Sequence, residues 1–306
     1  MKHSFSTASS FTRRNFLAIS GAIPAAIAAG AALNGFGADS ASPEAARAKR
    51  LPIGLELYSV RGELARDLPN TLKTVAQIGY EVVEFYSPYF KWTPAYTKDV
   101  RTQMDDLGLR CYSTHNGFES FTPGENMAHA IELNQILGTR YIVLASAPSR
   151  GNGLEGWKKL CEELTAAVDQ LKPHGLGAGY HNHQAEWAKL ENGQRILEVI
   201  AANTPKEFVL QLDVGTCEEA GADPVAWVKA NPGRIKTMHL KDWAPGEKGY
   251  HVLFAEGVTP WQELLSAAES VGGVEYFLIE QEGSRFPEFE TAKRCLDTWK
   301  SMFRKV

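Results

Sequence analysis

The amino-acid sequence predicts an α/β protein built as a single (β/α)8 TIM barrel, and three observations carry that prediction. After residue 50, short apolar runs alternate with longer amphipathic runs eight times. Eight such units over about 250 residues describe a parallel sheet closed into a barrel with its helices outside. The first apolar run leads into "ELYSVRGEL", which lacks the Gly-rich phosphate turn that an open, doubly wound sheet normally carries there. No linker, repeat or low-complexity stretch divides the chain beyond residue 50, so residues 50–306 are read as one domain.

The individual elements follow from hydrophobic period, Gly and Pro punctuation and length. Residues 51–60 (LPIGLELYSV) read as the first strand. Residues 67–79 read as a helix, with Leu72, Val75, Ala76 and Ile78 at helical spacing and Gly79 at its end. The second unit pairs the strand 80–86 (YEVVEFY) with a helix over 96–108, and the third pairs 109–115 (LRCYSTH) with 125–138. The fourth joins 140–146 (RYIVLAS) to a long helix over 153–175, and the fifth joins 176–183 (LGAGYHNH) to 193–203. The sixth runs from 207–215 (EFVLQLDVG) to 223–231, and the seventh from 234–242 (RIKTMHLKD) to 260–273. The eighth closes with 275–283 (EYFLIEQEG) and a helix over 288–305.

Residues 1–41 stand outside this pattern. Thr12-Arg13-Arg14-Asn15-Phe16-Leu17 precedes an Ala-rich apolar run, which resembles a twin-arginine export signal. Gly21, Pro24 and Gly30 interrupt the run from Phe16 to Ala32, which is barely long enough to span a bilayer. A removable signal is therefore expected rather than an anchor, with cleavage near Ala38 or Ala41. The mature protein is expected to be periplasmic or otherwise extracytoplasmic. It would be exported folded, with its cofactor already loaded and no stable membrane association.

Charge and composition narrow the ligand. The formal net charge is −4, the pI is about 6.1 and 44% of residues are hydrophobic. No basic stripe marks a nucleic-acid partner, so a small molecule is expected, with homo-oligomerisation left open. Cys111, Cys161, Cys217 and Cys295 form no CxxC pair and fall mostly inside predicted elements, which points to buried free thiols.

In such a barrel the active site lies at the C-terminal ends of the strands. The polar residues there are Glu56, Tyr58 and Arg61, then Glu84, His115 with Asn116, and Ser146. The later strands add His181 with His183, Gln211 with Asp213, His239 with Lys241 and Asp242, and Glu280 with Glu282. His181, Asp213, His239 and Glu280 end four successive strands, each after an apolar run that would otherwise be core. A buried charge is costly unless paired or metal-bound, so these four are expected to converge on one divalent ion. Imidazoles mixed with carboxylates suit Mn²⁺, the ion expected, or Zn²⁺, Co²⁺ and Fe²⁺, better than Ca²⁺ or Mg²⁺. His181 and His183 sit two apart on a strand and so share a face. One imidazole is expected on the metal and the other beside the substrate or in support; parity permits either order.

Several of these stretches resemble the sugar phosphate isomerase/epimerase superfamily, the xylose isomerase-like barrels that also include inosose dehydratases and ketose epimerases. The matching stretches are "IGLELYSVR", "IGYEVVEFY", "GYHNHQAEW", "LQLDVGTCEEAGADP", "RIKTMHLKD" and "FLIEQEG". The resemblance implies that Asp213, His239 and Glu280 hold one divalent metal. It departs at strand 5, where many relatives carry Glu and this chain carries His181. His181 is read as the fourth ligand, so the Glu pair that serves ketose epimerases as acid and base is incomplete here.

The expected activity is a metal-dependent isomerase or epimerase acting on a non-phosphorylated carbohydrate or keto-sugar through a metal-stabilised enediolate. Export and the lack of a phosphate-cradling Gly loop favour an unphosphorylated substrate. Glu84, His115, His183 and Lys241 are candidate proton carriers, with Glu280 at the reacting centre. His115, Trp187, Gln211 and Trp243 are candidate substrate contacts, and Tyr86, Phe118 and Tyr250 are further aromatics that could line a sugar cleft, because flat rings suit the apolar faces of sugars. Two alternatives stay open. One is a lyase or dehydratase on a keto-sugar, 3-keto-glycoside or inosose by β-elimination. The other is a non-catalytic periplasmic sugar-binding barrel. A DNA-repair nuclease on the same barrel is disfavoured by the acidic balance and the export signal.

Overall fold

A computed structural model describes residues 51–147 and 153–303. The expected signal over 1–41 lies outside these residues. Among the described residues no helix is long and apolar enough to cross a membrane.

Eight parallel strands close in sequence order into a barrel. They are β1 Ile53–Glu56, β2 Val82–Phe85, β3 Arg110–Asn116, β4 Tyr141–Leu144, β5 Gly177–His181, β6 Val209–Asp213, β7 Thr237–Leu240 and β8 Tyr276–Ile279. Around them lie α1 Arg61–Arg66, α2 Leu68–Ile78, α3 Pro94–Asp106, α4 Glu125–Leu137 and α5 Leu154–Leu171. The ring continues through α6 Ile196–Asn203, α7 Val214–Glu219, α8 Pro224–Ala230, α9 Trp261–Ala267 and α10 Glu288–Phe303. The helices start and stop where their chemistry directs. Asp67 caps α2 by accepting from Asn70 N at 3.0 Å, and Gly79 ends it at φ 106°, a backbone conformation that glycine adopts without steric cost.

Strand parity divides the apolar residues into two sets. Ile53, Leu55, Val83, Phe85, Leu210, Leu212, Met238, Leu240, Phe277 and Ile279 face outward into the layer shared with the helices. Val82, Tyr276 and Leu278, flanked by Tyr112 and Tyr141, form a plug inside the barrel. Gly54 is required where the walls meet, because a Cβ there would lie 2.7 Å from both Leu278 Cδ2 and Val82 O. The next inward positions toward the C-terminal rim are polar: Glu56, Glu84, His181, Gln211, Asp213, His239 and Glu280 are all buried. The interior is thus an apolar floor beneath a charged layer, and the charged layer is the site.

Several boundaries differ from expectation. β5 ends at His181, because Gln184–Trp187 turns into a 3-10 helix held by Glu186. Its two oxygens accept from Tyr180 Oη and His183 N, both at 2.8 Å. The short helix α7 follows β6 directly, because the Asp213 side chain caps it. All four cysteines are buried free thiols, as their settings in the sequence imply.

Candidate functional site

The tips of β5 and β6 are tied together. Asn182 Oδ1 accepts from Asp213 N at 3.1 Å, and its Nδ2 donates to Thr216 Oγ1 at 3.0 Å. This fixes His181 against Asp213, with His181 Nε2 3.8 Å from Asp213 Oδ2. Asp213 divides its work. Its Oδ1 accepts from Thr216 N at 3.0 Å as the α7 cap, which leaves Oδ2 facing the barrel axis. On β7, His239 places Nδ1 3.1 Å from Glu280 Oε2 and Nε2 2.7 Å from Glu84 Oε2. A nitrogen of His181 and one carboxylate oxygen each of Asp213 and Glu280 lie within 4.8 Å of one another. The tips of β5, β6 and β8 therefore converge, and His239 on β7 joins them through its bond to Glu280.

Gln211 sits beneath them and decides how the imidazoles point. Its Nε2 donates to Glu84 at 3.1 Å, and its Oε1 lies 2.7 Å from His115 Nε2 and 3.0 Å from His181 Nδ1. Burial alone would push the Glu84 carboxyl up, but His115 and His239 beside it hold its pKa at about 2. An ionised carboxylate only accepts, so the Gln211 amide nitrogen must face Glu84. Its oxygen then accepts from both imidazoles. His181 therefore carries its proton on Nδ1, and its Nε2 lone pair faces Asp213.

The remaining charges follow from burial and neighbours. Burial pushes the His181 pKa well below its ordinary value, helped by His239 and His115, so the ring is neutral, the form that binds metals. Burial opposes charge on His239, yet Glu280 and then Glu84 outweigh it and raise its pKa well above the ordinary value. Burial likewise opposes charge on Lys241, but Asp213, Glu280 and Glu282 hold it protonated. Its Nζ lies 3.4 Å from Asp213 Oδ2 and 3.8 Å from Glu280 Oε2, bonds Glu282, and sits 4.8 Å from the Tyr250 ring centre. Glu280 stays below the carboxylate range because Lys241 and His239 overcome its burial. Glu56, buried and facing Glu84, is pushed well above that range by desolvation first and by the Glu84 charge next.

A cavity of about 560 Å³ opens onto this layer. Its lining includes His115, His181, His183, Lys241 and Glu280. His115 and His183 flank His181, with ring centres 4.6 Å and 4.9 Å from it.

The other expected site residues lie elsewhere. Glu84 and Gln211 are buried beneath the imidazoles and do not line the cavity. Trp187 is drawn into the core, its ring against Trp227 at 5.3 Å, and Trp243 lies outside the lining. Of the expected aromatics Tyr86 and Tyr250 reach the cavity, and Tyr58 joins them. Tyr250 is held there by Gln184 Nε2 at 2.9 Å and Glu219 Oε2 at 2.6 Å. Its loop is pinned by Asp242, which accepts from Gly257 N, Thr259 Oγ1 and Trp261 Nε1 at 2.9–3.0 Å. Sequence reading gave Glu56 and Tyr58 no role, although both end the first strand; parity with Glu84 and Glu280 was the available signal.

Residues 72–302 match the family described as the xylose isomerase-like TIM barrel. A sugar phosphate isomerase/epimerase from Parabacteroides distasonis superposes with a TM-score of 0.68 at 26% identity, covering 84% of this chain and 96% of that one. A second sugar phosphate isomerase/epimerase from that organism gives a TM-score of 0.68 at 22% identity, covering 81% and 97%. An IolI protein with a bound zinc atom gives 0.61 at 16% identity, covering 82% and 96%. No curated protein matches the chain.

Proposed function

The chain belongs to the xylose isomerase-like TIM barrel family, and from that premise we propose a divalent-metal-dependent isomerase or epimerase acting on a non-phosphorylated carbohydrate. The observation that carries this reading is the convergence of His181, Asp213 and Glu280 from β5, β6 and β8 on one locus, two of them, His181 and Glu280, also lining the cavity. Their chemistry fits an ion. His181 Nε2 offers a lone pair, Asp213 Oδ2 is engaged by Lys241 only at 3.4 Å, and Glu280 and His239 would exchange their mutual bond for the ion, His239 giving up the proton on Nδ1. Glu84 would keep its bond to His239 Nε2, a carboxylate–histidine support that orients a ligating imidazole. This N/O donor set suits Mn²⁺, with Zn²⁺ and Co²⁺ as fits to the same atoms. The zinc atom of the IolI protein supports such an occupant.

When bound, the ion supplies Lewis acidity to a carbonyl and its neighbouring hydroxyl. The protein groups do the rest. His183, facing the cavity beside His181, is placed to take the proton from the hydroxyl-bearing carbon next to the carbonyl. Protonated Lys241 donates to the oxygen on which charge develops; held by three carboxylates, it cannot itself act as the base. Return of that proton from His183 to the former carbonyl carbon isomerises the sugar, with Lys241 protonating the former carbonyl oxygen and recovering its proton from the neighbouring hydroxyl. Protonation of the same carbon on its opposite face by solvent epimerises it, and His183 then releases the proton it took.

Lys241 is the one lysine of the described lining, its charge is already matched, and no arginine joins it. Among the described lining residues a phosphate dianion would find no free cation, which favours an uncharged substrate. The test is incubation of the Mn²⁺-loaded protein with a ketose and aldose panel in D₂O, read by NMR. Deuterium should enter beside the carbonyl, and His183→Ala should abolish the exchange while metal content stays constant. No exchange across the panel overturns the reading, and an unsaturated product would assign a lyase instead.

A further inference from the structure

The carboxyl of Glu56 has no part in the chemistry above. It is fully buried, on the inward face of β1, and it lines the cavity. Its Oε1 accepts only from Tyr58 N, at 3.3 Å, and no donor reaches its Oε2; the proton that burial keeps on this carboxyl serves Glu84, which leaves an acceptor lone pair unmatched. A buried polar oxygen without a partner costs free energy, so its retention in an otherwise satisfied layer points to a ligand group. The register of the sheet places it. Leu55 pairs with Ile279, so Glu56 and Glu280 follow on adjacent strands, about 4.8 Å apart at the backbone.

A cation is a poor occupant for this corner, although Glu56, Glu84 and His115 lie close enough together to suggest one. Glu84 is already bonded to Ser113, Gln211 and His239, and His115 Nε2 is committed to Gln211. That leaves Glu56 alone to coordinate, too few donors for a bound ion. A hydroxyl is the natural partner. It donates to a carboxylate and also serves a neutral carboxyl, because it both donates and accepts. The wall above is shaped to match, with Tyr58 and Tyr86 edge to face at 5.2 Å and Ser87 beside them.

Resting on the reading above, we propose that Glu56 is the hydroxyl-recognition point of the cavity. Its ligand is an uncharged polyol whose chain runs from the β5–β8 tips toward β1 and β2, with a free hydroxyl on Glu56. Glu56 thereby selects sugars over their deoxy analogues at that one carbon.

The test uses the Mn²⁺-loaded full chain with D-fructose, D-psicose and myo-inositol, and affinities are measured by calorimetry. The tightest polyol is then compared with its mono-deoxy analogues on wild-type, Glu56→Gln and Glu56→Ala proteins of equal metal content. Glu56→Ala should weaken the polyol about 10- to 100-fold, the range for leaving a buried hydroxyl without its partner. One deoxy analogue should bind wild type and Glu56→Ala alike, since the hydroxyl and its acceptor are removed as a pair. Affinity unchanged within threefold in Glu56→Ala, additive losses for every analogue, or no polyol binding to wild type would each overturn the assignment. Deuterium exchange with Glu56 neutral sinks only this inference. Glu56 coupling without exchange sinks only the enzymatic reading.

Discussion

Gln211→Leu removes the residue that sets the direction of the imidazoles. The side chain makes three buried hydrogen bonds, to His115 at 2.7 Å, His181 at 3.0 Å and Glu84 at 3.1 Å. The bond to the carboxylate is worth more than the two between neutral groups, and the loss of all three costs about 3–5 kcal/mol. At about 2–4 °C per kcal/mol for a domain of this size, Tm falls by about 10 °C. The variant also frees His181 to move its proton to Nε2, the nitrogen that faces Asp213. Loss of such support lowers metal affinity about 10- to 100-fold. Calorimetry and chelator competition read these two effects. Imidazole nitrogen NMR on the metal-free wild type reads the cause, with His181 expected to be protonated on Nδ1. A wild-type His181 protonated on Nε2, or a Gln211→Leu protein with metal affinity within threefold of wild type, would refute the reasoning.

Three further outcomes follow from the same geometry. Asp213→Asn keeps an acceptor for Thr216 N but loses the charge. Two unit charges 4 Å apart interact by about 4 kcal/mol at an effective dielectric near 20, so metal affinity should fall about 10³-fold by chelator competition. Asp213→Ala should add about 1 kcal/mol of lost stability from the α7 cap. In chelator-treated protein, Glu84 has a folded pKa of about 2, below its ordinary value. It therefore stabilises the fold fully at neutral pH, and that contribution is lost as pH falls from the ordinary carboxylate range toward 2. Urea midpoints measured between pH 6 and 3 should drop in wild type, and the part of that drop due to this carboxylate should be missing in Glu84→Gln. Replacing Arg13 and Arg14 together by Lys should leave the chain in the cytoplasm on cell fractionation, and undiminished export would refute the proposed twin-arginine route.

The barrel was legible because its signal is repeated. Eight apolar runs between amphipathic runs leave little choice of architecture, and the strand ends mark Glu56, Glu84, His181, Gln211, Asp213, His239 and Glu280 as polar residues at one mouth of the barrel. Depth along the barrel axis was not legible. Glu84 and Gln211 pair in register with Glu56 and His181, yet they are buried behind the imidazoles they orient and do not line the cavity. Nothing in "EVVEFY" or "VLQLD" marks that difference, which arises from how neighbouring strands are staggered. The bulge between Val83 and Phe85 on β2 adds to it. The tryptophans misled for a related reason. Trp187 follows a ligand strand in sequence, but the 3-10 turn held by Glu186 swings its ring into the core. The tyrosines that reach the cavity come from loops whose course depends on distant partners, as Tyr250 depends on Gln184 and Glu219.

The most direct measurement is anomalous diffraction from crystals grown with Mn²⁺, recorded at the manganese edge. A single strong peak is predicted about 2.0–2.3 Å from His181 Nε2, Asp213 Oδ2, His239 Nδ1 and a Glu280 oxygen. A peak beside Glu56 and His115, or none within the barrel, would contradict the account.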